Sequence, residues 1–267
     1  MLAGVVLYLR LAGAQLRGQV QYRVSFALQT LSSFTSTFVE LVAIVILFGT
    51  FHDLAGWRVG EVALLYGLVS IAFGLNELFG EGFDHVSMLV RGGEFDRLLI
   101  RPVGPFVQVL ASEVQLRRLG RIAQGVVAVG LAQHWLGLAW TVPKAFVFLG
   151  GVAGSALVFF TVLVIGAAIC FWTVESSEVQ NVFTYGGTEL ASYPLHIFNR
   201  WIQAAFLYFV PLALTSYYPA LYILAKPDPF GLPGVLPFFA PLIGLAFFGL
   251  GLGVWQFGLR YYQSTGS

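Results

Sequence analysis

Charge is what this sequence has least of: only 10% of its 267 residues are Asp, Glu, Lys or Arg, while 58% are hydrophobic and the mean hydropathy is +0.81. A soluble domain normally carries about 25% charged residues, so the composition excludes an ordinary soluble fold and points to helices that face lipid. Cysteine is nearly absent. Cys170 alone excludes an intrachain disulfide and, lying in an apolar run, reads as a small inert hydrophobe. The first residues show no apolar core followed by a small-residue cleavage site, so the amino terminus is expected to be retained.

The patterns that carry chemistry are missing as well. A nucleotide-binding P-loop needs a Gly-rich turn followed by Lys and Ser or Thr; here Lys144 precedes Ala145 and Lys226 precedes Pro227. His52, His85, His134 and His196 lack metal-ligand spacing and read as interfacial or surface residues. There is no Gly-x-Ser-x-Gly elbow and no close carboxylate pair inside an apolar run, so no catalytic constellation supports a membrane-embedded enzyme.

What the sequence has is long apolar runs. Residues 1–23 place Arg10, Arg17 and Gln21 on one helical face beside Leu9, Leu16 and Val20, the pattern of an interfacial helix or of an extension of the first span. Six spans are expected: between Arg23 and Asp53, from about Glu61 to Phe79, Ile122 to Trp140, Ala145 to Val174, within Trp201–Ala225, and within Leu236–Leu259. Each is long enough to cross about 30 Å of hydrocarbon at about 1.5 Å per residue. The expected fold is therefore an all-α integral membrane protein, a single transmembrane domain over 1–267. Pro211 kinks or breaks the fifth span, and Gly150/Gly154 and Gly249/Gly253 permit close helix approach in the fourth and sixth.

Orientation rests on Lys and Arg. With the amino terminus inside, the inner segments collect Arg10, Arg17, Arg23, Arg91, Arg97, Arg101, Arg117, Arg118, Arg121, Arg200 and Arg260, and the outer loops keep Arg58, Lys144 and Lys226. That bias puts both termini in the cytoplasm. The connection Glu175–Arg200 then reads as helix ends and a turn on the inner side. Glu40 is the carboxylate well inside a span; it is expected to face the bundle interior, as an interhelical link or as a pathway or proton-relay group. Asn76 and Glu77 read as interfacial.

The best-punctuated stretch is 92–106. Gly92 and Gly93 break the preceding element, Arg101-Pro102 halts the next one, and about two helical turns fit between. Phe95, Leu98 and Leu99 share one face, with Glu94 and Asp96 at the amino end and Arg97 and Arg101 towards the other, the order that suits a helix dipole. The apolar face of such a helix packs either on this chain's own helix ends and lipid headgroups or in a groove of a soluble partner.

Within this stretch, Gly93-Glu94-Phe95-Asp96-Arg97-Leu98-Leu99-Ile100-Arg101-Pro102 resembles the Gly-x-x-Asp-Arg-x-Leu-x-Arg-Pro signature of a six-span family of ABC-2 type transporter permeases. Residues 211–220, Pro-Leu-Ala-Leu-Thr-Ser-Tyr-Tyr-Pro-Ala, and the tail 261–267, Tyr-Tyr-Gln-Ser-Thr-Gly-Ser, are similar to the same family. The resemblance implies a non-catalytic membrane subunit of an exporter in the cell membrane, paired with a second permease copy or paralogue and driven by two separate ATPase subunits. Those subunits would bind the ATP and Mg, leaving no cofactor in this chain; the other contact is the lipid bilayer, not nucleic acid. It also implies that 92–102 is a coupling helix seated on the ATPase, with Phe95, Leu98 and Leu99 as anchors and Glu94, Asp96, Arg97, Arg101 and Pro102 setting its register. An ion-coupled secondary transporter using Glu40, or a membrane-embedded enzyme or scaffold, remains the alternative.

Overall fold

The computed structural model describes residues 13, 17–19, 21–50, 53–173 and 177–263. The expected interfacial helix lies largely outside them, Arg10 included, as do His52, Glu175 and the last four residues of the tail. Among the described residues every extended element is helical, and the sole β-type contact is an isolated bridge between Leu54 and Trp57.

The helices are α1 (Arg23–Thr50), α2 (Val59–Asp84), α3 (Val86–Arg91), α4 (Asp96–Leu99), α5 (Pro105–Ser112), α6 (Leu119–Leu136) and α7 (Val142–Thr173). After these come α8 (Ser177–Ala191), α9 (Arg200–Ala204) with a π-helical turn over Ala205–Phe209, α10 (Leu212–Thr215), α11 (Tyr217–Leu224) and α12 (Ala240–Tyr261). Helix α2 is the axis of the bundle. In the most apolar window of Val59–Arg91, 83% of residues are buried, against 17% in α1 and 22% in the segment containing α12, so the latter two turn most of their apolar surface outward. Glycine sets how closely α2 is approached. A Cβ on Gly67 would lie 2.9 Å from the Gly125 carbonyl oxygen of α6, so these helices meet backbone to backbone. Gly154 of α7 does the same for the start of α12, where a Cβ would lie 2.4 Å from the Ala240 carbonyl oxygen.

Among the described residues four segments are long and apolar enough to cross a membrane: Arg23–Gly49, Val59–Arg91, Val142–Thr173 and Leu236–Tyr261. The expected third span corresponds to α6, whose 18 residues include Arg121, Gln124, Gln133 and His134 and lower its apolarity. The expected fifth span needs correction. Arg200–Phe209 and Leu212–Leu224 are bent by 71° at Pro211, and by composition the pair could count as one broken span. Both ends of this region, however, return to the same turn: His196 Nε2 lies 3.1 Å from the Ala55 carbonyl oxygen, and Lys226 Nζ donates to the Gly56 carbonyl oxygen at 3.0 Å. It enters the bundle and comes back.

The connection expected to be a turn on one side is likewise corrected, because it contains α8. Near the start of this helix Gln180 donates to Asp84 Oδ1, and the helix leads to Leu195 and His196 beside Trp57 and Tyr217 at the opposite end of α2. Its polar residues hide it. Thr184, Thr188 and Ser192 form a buried row in which each hydroxyl donates to the carbonyl four residues earlier, at 2.8–2.9 Å. Arg200 consequently lies at the end that holds Arg58, Lys144 and Lys226, and the charge bias survives the move.

Candidate functional site

The stretch around 92–102 begins with a reversal. Gly93 takes a left-handed backbone (φ 67°), and the Phe95 amide donates back to the Leu89 carbonyl at 3.0 Å. Only a single turn, α4, is formed beyond it, shorter than the expected two. Gln108 of α5 holds the far side of the loop, its Nε2 donating to the carbonyls of Leu98 at 2.8 Å and Val103 at 2.6 Å.

Phe95 is 0% exposed. Its ring sits 5.1 Å from Phe171 at the end of α7, 5.0 Å from Tyr262 just beyond α12, and 6.4 Å from Trp255 of α12, with Phe83 of α2 against the same indole at 5.4 Å. The rings meet edge to face or tilted, the arrangement aromatic quadrupoles favour. Tyr262 also donates to Asp96 Oδ1 at 3.0 Å. Burial, and then this hydrogen bond, pushes the Tyr262 phenol up to about 12.

This geometry divides the expected anchor face. Phe95 is spent on the chain's own core and is unavailable to a partner, because the ends of α7 and α12 supply the apolar surface it needs. Leu98 is half-buried against the same cluster. Leu99 is 45% exposed, and Ile100, which periodicity does not place on the anchor face, is 84% exposed. Glu94, Arg97, Arg101 and Pro102 lie around them at the surface, fully or partly exposed, and Asp96 is half-buried beneath. A two-turn helical wheel puts Ile100 off the shared face, and a one-turn element has no such wheel. The signal that could have found it is a bulky aliphatic residue next to Arg101-Pro102.

A second cluster lies a turn or two back along α2 from Phe83. Asn76 and Glu77, expected at the interface, are 3% and 4% exposed. Glu77 is clamped by two guanidiniums from the start of α6: Arg118 Nη1 at 2.8 Å and Arg121 Nε at 3.3 Å, at ion-pair distance but outside hydrogen-bond alignment. Arg118 also reaches Glu81 at 3.3 Å, and Arg121 lies over the Phe73 ring at 5.0 Å. Burial works against the Arg118 charge, but Glu77 and Glu81 outweigh it and raise its pKa. Glu40 of α1 joins the edge of this network, accepting from the Tyr66 hydroxyl at 3.0 Å and lying 3.9 Å from Arg121 Nη2. The cluster ties α1, α2 and α6 by charge. Pro211 stands apart from both clusters, at the bend between the π-helical turn and α10.

No group of three or more His, Cys, Asp or Glu able to hold a metal occurs among the described residues. The profile described as "ABC-2 family transporter protein" matches residues 34–266, nearly the whole chain. The chain belongs to the ABC-2 transporter family. No curated protein and no solved structure matches it significantly. Membership and the four apolar segments make it a multi-pass membrane component of an ABC transporter, a class of subunit that is generally non-catalytic and works with an ABC ATPase.

Proposed function

We propose that this ABC-2 family member is the permease subunit of an ATP-driven exporter of the cell membrane, and that its ATPase docks on the exposed tip Leu99–Arg101. The observation that carries the proposal is the pairing of that tip with a buried root: Ile100 is 84% exposed, while Phe95, five residues earlier, is 0% exposed among rings of α7 and α12. Ile100 and Leu99 fill a groove on the partner, contributing about 1.5–3 kcal/mol each when fully covered. Arg97, Arg101 and Glu94 set register at the rim. ATP and Mg stay on two partner ATPase subunits, and a second permease copy or paralogue completes the pathway.

Six crossings are reached with α8 in place of the expected fifth span: α1, α2, α6, α7, α8 and α12. At about 1.5 Å per residue α8 is short and polar, and it is tolerated because protein rather than lipid covers its hydroxyl row. Both termini are then cytoplasmic, at the end that collects Arg97, Arg101, Arg118, Arg121 and Arg260. Glu40 serves as a link between α1 and Arg121. Movement of the ATPase pair displaces the tip, Phe95 transmits the displacement to α7 and α12, and the pathway alternates between two states.

The test is isolation of the native complex. The wild-type chain should bring down an ABC ATPase, and Ile100→Asp should reduce the recovered ATPase about tenfold or more without loss of the folded chain. Undiminished association with Ile100→Asp removes the tip as the docking element.

A further inference from the structure

Beside α1, where the 3-10 turn Leu116–Arg118 runs into α6, lies a cleft of about 340 Å³. Every residue lining it is polar or basic and none is acidic: Ser32, Ser33 and Ser36 of α1 mark one wall, Arg117, Arg118 and Arg121 the other. Gly120 fixes the walls against each other, since a Cβ there would stand 2.3 Å from the Thr30 carbonyl oxygen and 2.7 Å from the Phe34 amide nitrogen. The cleft is accessible. Arg117, Ser32 and Ser36 are exposed and Ser33 is half-buried.

What the walls leave unused defines the occupant. Arg118 and Arg121 are committed to Glu77, which does not line the cleft, but Arg117 spends only its Nε, on Gln115 Oε1 at 2.7 Å, and its terminal nitrogens have no partner among the described residues. Thr35 and Thr37 turn their hydroxyls back onto carbonyls four residues earlier, whereas Ser32, Ser33 and Ser36 make no such bond. A free guanidinium fork opposite a row of uncommitted hydroxyls suits the oxygens of a phosphate. An ammonium group finds only arginines here.

We propose that this cleft holds the phosphate of an anionic phospholipid, with Arg117 gripping the phosphate oxygens and the serine hydroxyls of α1 donating to them. The surface beside the cleft supplies the reason for a lipid: Leu28 lies one turn before Ser32 and Val39 one turn after Ser36, and both side chains are exposed, a strip that an acyl chain covers. Basic pockets between helices at a membrane surface take such headgroups. The lipid braces α1, most of whose apolar surface the chain leaves open, against α6. The leaflet rests on the orientation proposed above, and the site itself does not.

The experiment uses the full chain in detergent, without nucleotide or ATPase, so that its failure leaves the docking proposal standing. Phosphatidylglycerol and phosphatidylcholine of matched chains are added in equal amounts, and retained lipid is counted by native mass spectrometry. The wild-type chain should retain the glycerol lipid about tenfold over the choline lipid. Arg117→Gln should bring that ratio to within about twofold of unity, and so should Ser36→Leu, which fills the cleft without changing charge. Arg260→Gln, an exposed arginine at the same end of the chain, should leave the ratio unchanged. Equal retention by the wild type, a preference that persists in either folded cleft variant, or an equal fall in Arg260→Gln overturns the site. Should one cleft variant fail to fold, the other decides. A wild-type chain that inorganic phosphate alone protects against thermal unfolding, with no preference between the lipids, gives the cleft to a soluble anion and overturns the lipid assignment.

Discussion

The aromatic socket around Phe95 and the ion network around Glu77 lie towards the same end of α2, and they hold that end together by opposite means. The socket is built from rings 5.0–6.4 Å apart, and Tyr262 adds a side-chain hydrogen bond to Asp96. Dispersion and quadrupole contacts of this kind are weakly directional, so a ring can pivot and lose little. The network puts two guanidiniums on a carboxylate that is 4% exposed, where misplacing one partner strands a charge away from water. The exposed tip is joined to the socket, while the network fixes α1, α2 and α6 against one another. Under the proposed docking, the region that can yield is the one that would receive the load.

That contrast can be broken experimentally. The largest effect is expected from Glu77→Ala, which leaves Arg118 and Arg121 buried without their shared partner and should cost about 3–5 kcal/mol of stability. Thermal unfolding in detergent measures it, and a loss below about 1 kcal/mol would mean that the arginines find other partners and the clamp is not one. Phe95→Leu should cost less, about 1–2 kcal/mol, because much of the apolar volume remains. Its characteristic result is functional: ATPase association is kept, since the tip is intact, while transport coupling falls. Full coupling in a folded Phe95→Leu chain would show that force does not pass through this ring.

The smallest effect belongs to Tyr262→Phe, which removes one hydrogen bond at about 1 kcal/mol. It has a pH signature. The folded phenol, at about 12, lies above its ordinary value, so the stability it contributes is complete below about pH 10 and is lost as pH rises through about 12. Unfolding scans at increasing alkalinity should show a loss in the wild type that is smaller in Tyr262→Phe. Identical alkaline profiles would remove the Asp96 contact from the account of the socket.

Much of this architecture is legible in one dimension, and where it is not, the reason is local. The long spans of α1, α2, α7 and α12 appear as uninterrupted apolar runs. Gly93 and Arg101-Pro102 mark both ends of the reversal, and the break at Pro211 is visible as a proline inside an apolar run. Phe95 does fall on an apolar face, but helical spacing says only that a face exists. It does not say whether α7 and α12 or another protein covers it. Glu77 reads as interfacial because its two arginines lie about forty residues further along the chain. Helix α8 is hidden because a row of Thr and Ser hydroxyls satisfied on their own helix looks like loop composition in one dimension.

The sequence by itself determined that the chain belongs in a bilayer, where its most apolar helices lie, and that a charged, glycine-bounded reversal interrupts them. Each of these is a sum over neighbouring residues: transfer free energy along a run, or the dihedral freedom of a glycine. Only the tertiary structure decided that Phe95 points inward and Ile100 outward, that α8 leads from the Asp84 end of α2 towards its Trp57 end, and that the 200–224 region returns to its starting end. These depend on which surfaces are covered by residues distant in sequence, since burial, not composition, sets the cost of a polar helix or an exposed ring.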